Sequence, residues 1–380
     1  MLGNISTIVV FKRTEINLFA PNYALKKLVL LLLLSPLLGW SQARKYSNAF
    51  LEIGIDARAM AMSNAVIASS NDISAAYWNP AGLVGIKNNW QAAAMHAEYF
   101  ASIAQYDYAA YAQNIDENST AAISFIRFGV DDILNTTDLI DQDGNVDYDR
   151  ITRFSAADYA LIGSYARRST TIENLSYGAN FKIVYRQIGD FANSIGFGFD
   201  AGLQYKIGKW QLGASFKDIT TTFNAWTINE EAFGESLELT NSDLPTENLE
   251  LTIPRILLGF GRTFQLNEKY SLHSEMSADF TFGGKENTLV SSEITNINPN
   301  LGLELGYQNF VFLRTGFGNV KRLRSFSNET NFSLQPNLGI GFKYRGISID
   351  YALTDIGSAS GTLYSNIFSL KFNFEDFKKS

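Results

Sequence analysis

The feature of the sequence that most constrains its fold is a strict two-residue alternation of apolar and polar side chains. It is clearest over residues 195–207, where Ile, Phe, Ala, Leu and Tyr alternate with Gly, Asp, Gln and Lys. Two residues is the period of a β-strand, because successive side chains point to opposite faces of the sheet. A strand of this length exceeds the five or six residues usual in soluble sheets and suits a tilted strand that crosses a membrane.

The same alternation recurs along the chain and predicts fourteen strands. They lie near residues 90–99, 105–113, 119–129, 156–168, 174–188, 194–208, 210–218, 254–265, 269–282, 300–308, 309–317, 334–345, 346–354 and 365–375. An even number is what a single-chain bacterial barrel requires. The predicted long connections all fall on one side, the extracellular one, and are residues 130–155, 219–253, 283–299, 318–333 and 355–364. The sequence therefore predicts an all-β fold, a transmembrane antiparallel β-barrel of about 14 strands.

Charged residues on the polar rows distinguish a barrel from a soluble sandwich, in which the polar face would meet water. They carry both signs and are Lys182, Arg186, Asp200, Lys206, Glu275, Asp279, Glu304, Lys343 and Lys371. In a membrane barrel the apolar face meets lipid and these residues line the lumen. They could line a route for a substrate, or they could pair with each other and with residues of a plug. Mixed signs favour pairing, since buried charges are costly without partners.

The N-terminal residues divide into a targeting segment and a plug ahead of the barrel. Lys26 and Lys27 precede the apolar run at 28–34, and Ser41-Gln42-Ala43 offers a cleavage site, so residues 1–43 read as a secretory signal peptide. The long stretch ahead of Leu25 suggests that the true start codon lies further downstream. The alternative to a cleaved signal peptide is a signal anchor that stays in the membrane. Residues 44–89 do not alternate and are predicted to form a hatch inside the barrel of residues 90–380.

The predicted hatch contains a short helix that ends near Tyr77-Trp78, where Asn79-Pro80 breaks it. Its motif residues are Asp56, Arg58, Asp72, Trp78, Asn79, Pro80, Ala81 and Gly82. The segment 75–83 resembles the hatch motif of the FadL-type outer-membrane transporters. The segment 50–62 is similar to the opening of the PorV/PorQ family within that fold. The resemblance implies a fourteen-stranded barrel with a lumenal hatch in a Bacteroidetes-like bacterial outer membrane, and some members of that family serve type IX secretion.

Composition excludes several functional classes. The chain has no Cys and two His, and its net charge is −7. Thiolate metal sites and Cys nucleophiles are therefore excluded, nucleic-acid binding is not expected, and no catalytic set emerges, so the protein is predicted not to be an enzyme. A weak calcium candidate is the loop with Asp141, Asp143, Asn145 and Asp147, whose oxygens stand at alternate positions. The alternative is a solvated acidic loop tip, and no other cofactor is predicted.

Two functions remain open from the sequence. The first is a non-enzymatic barrel in outer-membrane lipid that docks type IX secretion components or secreted clients, with the 219–253 loop as a lid or docking surface. The alternative is a FadL-like transporter of hydrophobic small molecules, with a pocket between hatch and wall that opens sideways at a strand break. A transporter predicts an apolar pocket that contacts the hatch. A docking protein predicts a hatch sealed by polar contacts.

Overall fold

The computed structural model describes residues 47–100, 102–141, 143–233, 248–324, 330–354 and 364–373. The predicted signal peptide lies outside these residues. Their strands are β1 (Trp90–Tyr99), β2 (Ala104–Asn114), β3 (Ser119–Asn135), β4 (Thr152–Arg168), β5 (Leu175–Ile188), β6 (Ala192–Ile207), β7 (Trp210–Lys217), β8 (Thr222–Ile228), β9 (Leu249–Thr252), β10 (Arg255–Gln265), β11 (Tyr270–Thr281), β12 (Val290–Ser291), β13 (Asn296–Tyr307), β14 (Val311–Arg324), β15 (Thr330–Tyr344), β16 (Ile347–Thr354) and β17 (Ser365–Asn373).

All of these strands belong to one antiparallel sheet that closes on itself. The closure is between β1 and β17, whose register runs from Gln91 opposite Asn373 to Glu98 opposite Asn366. Both β7 and β8 pair with β6, so they are two parts of one interrupted barrel strand. Likewise β10 pairs with β7 and β9 with β8, and the two-residue β12 only adds to the side of β13. The described barrel therefore has fourteen strand positions, which confirms the predicted fold class.

The alternation of the sequence is an alternation of burial in the structure. On β6, Leu203 is 42% exposed while the following residue, Gln204, is 8% exposed. On β5, Phe181 likewise faces outward and Lys182 is buried inside the barrel. The outer face of the barrel thus carries apolar side chains, as contact with lipid requires, and the polar rows face the lumen.

The connections alternate between two ends of the barrel, called here the short-turn end and the long-loop end. Tight turns follow β2, β6, β13 and β15 at the short-turn end, and Gly208 and Gly346 adopt positive φ angles of 58° and 84° there. At the long-loop end the strands continue past their predicted ends, because cross-strand pairing persists, for example from Ile133 to Phe154. Parts of the predicted long loops are therefore strand. Residues 234–247, 325–329 and 355–363 of those loops lie outside the described residues.

Residues 47–89 lie inside the barrel and form short helical turns. These are a 3-10 helix at Ala49–Glu52, α1 (Ala57–Ala61), α2 (Ala75–Trp78) and a 3-10 helix at Pro80–Gly85, and two further 3-10 turns occur in loops at Tyr148–Arg150 and Glu230–Phe233. The helix α2 ends where predicted, because Asn79 is extended with φ −155° and Pro80 follows. Ile55, Ile67, Ile73 and Leu83 are fully buried, so this segment, the hatch, fills the lumen.

Within the described residues no helix is both long enough and apolar enough to cross a membrane.

Candidate functional site

The first contact between hatch and wall is a buried ion cluster around Lys371 of β17. Its Nζ lies 2.9 Å from Asp56 Oδ2 and 2.6 Å from Asp72 Oδ2. Asp72 also accepts hydrogen bonds from the backbone N–H and the hydroxyl of Ser74, which fixes its carboxylate at the start of α2. Because one lysine binds two hatch carboxylates inside the barrel, the cluster joins two separate turns of the hatch to one strand.

A second cluster alternates in sign from the hatch across three strands. Arg58 Nε of α1 lies 2.8 Å from Glu304 Oε2 on β13. Arg314 Nε of β14 lies 2.6 Å from the same oxygen, and its Nη1 lies 2.6 Å from Asp350 Oδ1 on β16. Each buried charge in this chain has an opposite neighbour, so the cluster is an electrostatic tie and not a set of free ligands.

A third cluster lies behind the interruption between β7 and β8. Lys182 Nζ is 2.8 Å from Asp200 Oδ1 and 2.5 Å from Asp218 Oδ1. Asp218 is in the interruption itself, with a positive φ of 54°, and its backbone N–H donates to Asp200 Oδ1. Lys217 Nζ lies 3.6 Å from Asp200 Oδ2. The buried charges therefore hold the irregular backbone against the regular strands β5 and β6.

Two further predicted charges, Asp279 and Arg186, also have partners. Arg255 Nη1 lies 2.9 Å from Glu52 Oε1 of the hatch, and the Arg255 guanidinium also forms an ion pair with Asp279. Arg186 Nε lies 2.8 Å from Asp158 Oδ1, and Arg186 Nη1 lies 3.1 Å from Glu250 Oε2. The Arg255 pair adds a further tie between hatch and wall, whereas the Arg186 pairs lie within the wall.

The hatch motif residues make neutral contacts in addition. Asn79 Nδ2 donates to the carbonyl of Ile67 at 2.9 Å and to that of Leu203 on β6 at 3.0 Å. Trp78 Nε1 donates to the carbonyl of Ile55 at 3.0 Å. Glu275, on β11, accepts the backbone N–H of Ala68 at 2.7 Å. These bonds satisfy polar groups that are buried in the hatch, as a lumen filled by protein requires.

Close backbone approach explains the glycines around Asn79-Pro80-Ala81-Gly82. A Cβ on Gly178 of β5 would lie 2.7 Å from the carbonyl carbon of Pro80, and one on Gly82 would collide with the Ser70 carbonyl oxygen. Pro80 and Ala81 are buried in this contact. The turn of the hatch motif is therefore seated directly on the wall, with no room for a larger residue at position 178.

Two predicted lumenal charges differ from the others in being exposed and unpaired in the described part of the chain. Lys206 and Lys343 are exposed near the short-turn end, and no ion pair of either is present in the described part of the chain. Conversely, the sequence-based set lacks several buried partners, which are Lys217, Asp218, Arg255, Arg314 and Asp350. Arg314 and Asp350 stand at inward positions of predicted strands, so the two-residue period alone could have identified them. The functional role of all these residues stays a prediction.

His273 is held inside the barrel by its neighbours. Its Nδ1 lies 3.0 Å from Thr263 Oγ1, and its Nε2 lies 3.4 Å from Glu275 Oε2. Glu275 already accepts the Ala68 N–H, so the pair supports the hatch contact described above. These contacts of both ring nitrogens are typical of a histidine with a structural role in the inner wall.

The loop of the calcium candidate is held by its own hydrogen bonds. Asp141 accepts from the backbone N–H groups of Asp143 at 3.0 Å and Asn145 at 2.8 Å. The bonds from Asn145 hold the pKa of the Asp141 carboxyl below its usual value. Asp147 accepts from the N–H of Asp149 instead. Across the described ranges no three His, Cys, Asp or Glu residues come together as metal ligands do, and calcium binding stays a prediction.

Two cavities lie on opposite sides of the hatch. The outer cavity has a volume of about 370 Å³ and the inner cavity about 510 Å³, and they share no lining residue. The inner cavity is lined by the Arg58 and Lys371 clusters and reaches Lys343 at the short-turn end. The outer cavity adjoins a vestibule of about 560 Å³ at the long-loop end, since Glu52, Arg255 and Asn298 line both. The hatch thus separates two polar spaces inside the barrel.

The outer cavity has two chemically different walls. The apolar wall comes from the hatch and from strands β1 and β10, with Leu51, Ile53, Met60, Tyr77, Trp78, Tyr99 and Leu257. The opposite wall comes mainly from β13, β14 and β15, with Asn298, Asn300, Asn319, Gln335 and Asn337. The apolar side belongs to a buried cluster that includes Tyr106 and Ile126 of the wall. A molecule in this cavity would meet apolar surface on one side and amides on the other.

Comparison with known proteins supports the fold. No protein-family model and no curated protein matches the sequence. Among solved structures, the CymD monoaromatic hydrocarbon channel is similar, with a TM-score of 0.54 at 11% identity over 85% of this chain and 98% of that one. The Pseudomonas putida toluene transporter TodX has a TM-score of 0.53 at 13% identity, over 84% of this chain and 98% of its own.

A third similar structure is the Ralstonia pickettii toluene transporter TbuX, with a TM-score of 0.50 at 11% identity over 84% of this chain and 98% of that one. At such identities the likeness concerns the fold. It agrees with the FadL-like barrel that the hatch motif implies.

Proposed function

We propose that the protein is a non-enzymatic barrel of the bacterial outer membrane that passes small, largely hydrophobic molecules through its lumen. The observation that carries this proposal is the outer cavity, which contacts the hatch through an apolar wall and adjoins a vestibule at the long-loop end. The similar structures are transporters or channels of aromatic hydrocarbons, which favours the same class of function here. The long-loop end is then extracellular and the short-turn end periplasmic.

In this proposal the hatch must move for a molecule to pass. The outer and inner cavities have no lining residue in common, and hatch residues 55–68 are largely buried between them. The Lys371, Arg58 and Arg255 contacts hold the hatch in the closed position. Displacing part of the hatch would break some of these ties and join the two spaces.

A reversible cross-link between hatch and wall tests this movement. An added Cβ at Gly318 of β14 would lie 3.1 Å from Cβ of Ser63, slightly closer than the ~3.5–4.5 Å of a disulfide. The chain has no cysteine, so the double variant Ser63→Cys, Gly318→Cys offers one possible disulfide. We expect uptake of labelled toluene by cells or proteoliposomes to fall at least tenfold after oxidation and to recover after reduction by dithiothreitol.

The reduced double variant is its own control, because it differs from the oxidised protein only in the disulfide. Undiminished toluene uptake with the disulfide fully formed would contradict a moving hatch. Absence of uptake of toluene and of every other small, largely hydrophobic molecule tested, in an assay where a known hydrocarbon channel succeeds, would contradict the transport function.

A second candidate function is docking of partner proteins, which the polar sealing of the hatch favours. The resemblance to the PorV/PorQ family makes type IX secretion components or secreted clients the partners to test, in a Bacteroidetes-like outer membrane. Purification from native membranes in a mild detergent, followed by mass spectrometry, distinguishes the two. Stoichiometric recovery of secretion proteins would support docking, and their absence would leave transport as the better explanation.

A further inference from the structure

We propose that the outer cavity selects uncharged molecules that carry hydroxyl groups beside an apolar ring or chain. This inference rests on the proposed transport function and defines its substrate class more narrowly. This substrate class differs from those in the names of the similar structures, which are a monoaromatic hydrocarbon channel and a toluene transporter. Three features of the cavity support it: the amide wall, the unpaired amide oxygens in that wall and the pairing of the nearby cations.

Side-chain amides are concentrated on one side of the cavity. Six line it, and they are Asn64 of the hatch, Asn298 and Asn300 of β13, Asn319 of β14, and Gln335 and Asn337 of β15. Each amide offers two N–H donors and a carbonyl acceptor without a charge. A wall of this kind matches hydroxyl groups, which donate and accept in the same way. A hydrocarbon could not hydrogen-bond to the amide oxygens of Asn64, Asn298 and Asn337 that lack a protein partner, which disfavours its binding.

Part of this hydrogen-bonding capacity is unused. Asn319 Nδ2 donates to Gln335 Oε1, and Asn337 Nδ2 donates to Ser63 Oγ, each at 2.7 Å. By contrast, the Oδ1 atoms of Asn64, Asn298 and Asn337 accept no hydrogen bond from the described residues. Asn337 is only 6% exposed, so its carbonyl is buried at the cavity without a donor. In this proposal a small rotation of these side chains, which line the cavity, presents the oxygens to ligand hydroxyl groups.

The cations at the cavity already have acidic or carbonyl partners within the protein. Of the cations lining the described part of the cavity, Arg255 is paired with Glu52 and Asp279, and Lys217 donates to the Tyr77 carbonyl and lies near Asp200. A carboxylate or phosphate on the ligand would have to displace a buried acid to bind a cation. The cavity therefore disfavours an anionic head group and favours a neutral one.

The opposite wall accommodates the apolar part of the same molecule. Leu51, Tyr77 and Trp78 of the hatch face the cavity together with Tyr99 and Leu257 of the barrel. A volume of about 370 Å³ lies within the range of ligand pockets, ~300–1,000 Å³. A molecule with one aromatic ring and several hydroxyl groups can thus satisfy both walls at once.

Three probes with a common phenyl ring separate the possibilities, which are phenyl β-glucoside, toluene and benzoate. Transport of each is measured in proteoliposomes containing the full chain. The glucoside carries neutral hydroxyl groups, toluene carries none, and benzoate carries a negative charge. We expect the glucoside to be transported at least tenfold faster than benzoate, and faster than toluene at equal free concentration.

A matched pair of variants locates the selectivity. Asn298→Leu combined with Asn300→Leu replaces two neighbouring amides by apolar side chains of the same branched shape, and we expect glucoside transport to fall about tenfold while toluene transport is kept or rises. Asn193→Leu on the outward face of β6 is the control and should change neither. Heat-modifiability on gels establishes that all variants are folded barrels.

The outcomes distinguish this inference from the proposed function. Transport of toluene alone, or faster transport of benzoate than of glucoside, would overturn the neutral-hydroxyl selectivity while transport itself stands. Equal glucoside transport by the folded Asn298, Asn300 double variant would also overturn it. Failure of all three probes to cross would overturn the transport function instead.

Discussion

Gly178 of β5 is required because it has no side chain, which lets the hatch turn at Pro80 pack directly on its backbone. We expect Gly178→Ala to displace that turn and to lower the free energy of unfolding by about 1–3 kcal/mol, as overpacking does. Gly163 of the neighbouring β4 is the matched control, since an added Cβ there meets nothing within 4 Å. Gly163→Ala should stay within about 0.5 kcal/mol of the parent.

Urea unfolding in lipid vesicles, followed by tryptophan fluorescence, provides the comparison. Equal stabilities for the two alanine variants would show that the hatch turn does not depend on close approach to β5.

Individual residues differ in how well the sequence predicts them. Lys182, Asp200 and Glu304 were identifiable because they stand on the polar rows, at inward positions of regular strands. Asp218 was not, because it lies where the two-residue period fails and a positive φ carries the chain through the interruption. The sequence also does not predict which residue pairs with each of these charges. Pairing between distant strands and the hatch depends on how the barrel places them.

The interrupted strand formed by β7 and β8 shows that the extent of a strand is also only partly predictable from the sequence. The sequence predicts a strand at 210–218 and a loop after it, whereas the structure continues the strand from Thr222 to Ile228. Strand ends at the short-turn end match the predictions closely, since tight turns leave little freedom there. At the long-loop end, pairing extends beyond the apolar band. The apolar pattern therefore predicts the part of a strand that contacts lipid and not its full length.

The outward faces of the strands provide a test of which surface meets lipid. Leu258, in the middle of β10, is 43% exposed on that face. We expect Leu258→Arg to make folding into vesicles less favourable by about 2–4 kcal/mol, because an arginine near the bilayer midplane is poorly solvated. Leu266, in the turn after β10, is 57% exposed and serves as the control. Leu266→Arg should have an effect of about 0–1 kcal/mol.

Folding is measured by heat-modifiability and by urea titration in vesicles. A tolerated arginine at position 258 would mean that this face is covered by something other than acyl chains.

For the whole molecule, the ties between hatch and wall predict a barrel closed to ions. Lys371→Met leaves Asp56 and Asp72 buried without their cation, and breaking such a cluster destabilises by about 3–5 kcal/mol. We expect the hatch of this variant to open often enough to give ion conductance in planar bilayers and faster proteolysis near residues 56–72. Lys343→Met removes an exposed lysine from the same lumenal rows and should remain closed.

A Lys371→Met barrel that is folded, resistant to protease and silent in the bilayer would show that the remaining contacts suffice to hold the hatch.

The position of Lys371 has a consequence for biogenesis. It lies on β17, the strand that zips to β1 and completes the cylinder, and it binds carboxylates that precede β1 in the chain. Closure of the seam and anchoring of the interior segment therefore involve the same strand. An assembly pathway that closed the wall first would leave residues 47–89 outside the barrel and Lys371 without Asp56 and Asp72. We therefore expect the interior segment to enter before, or together with, the pairing of β17 with β1.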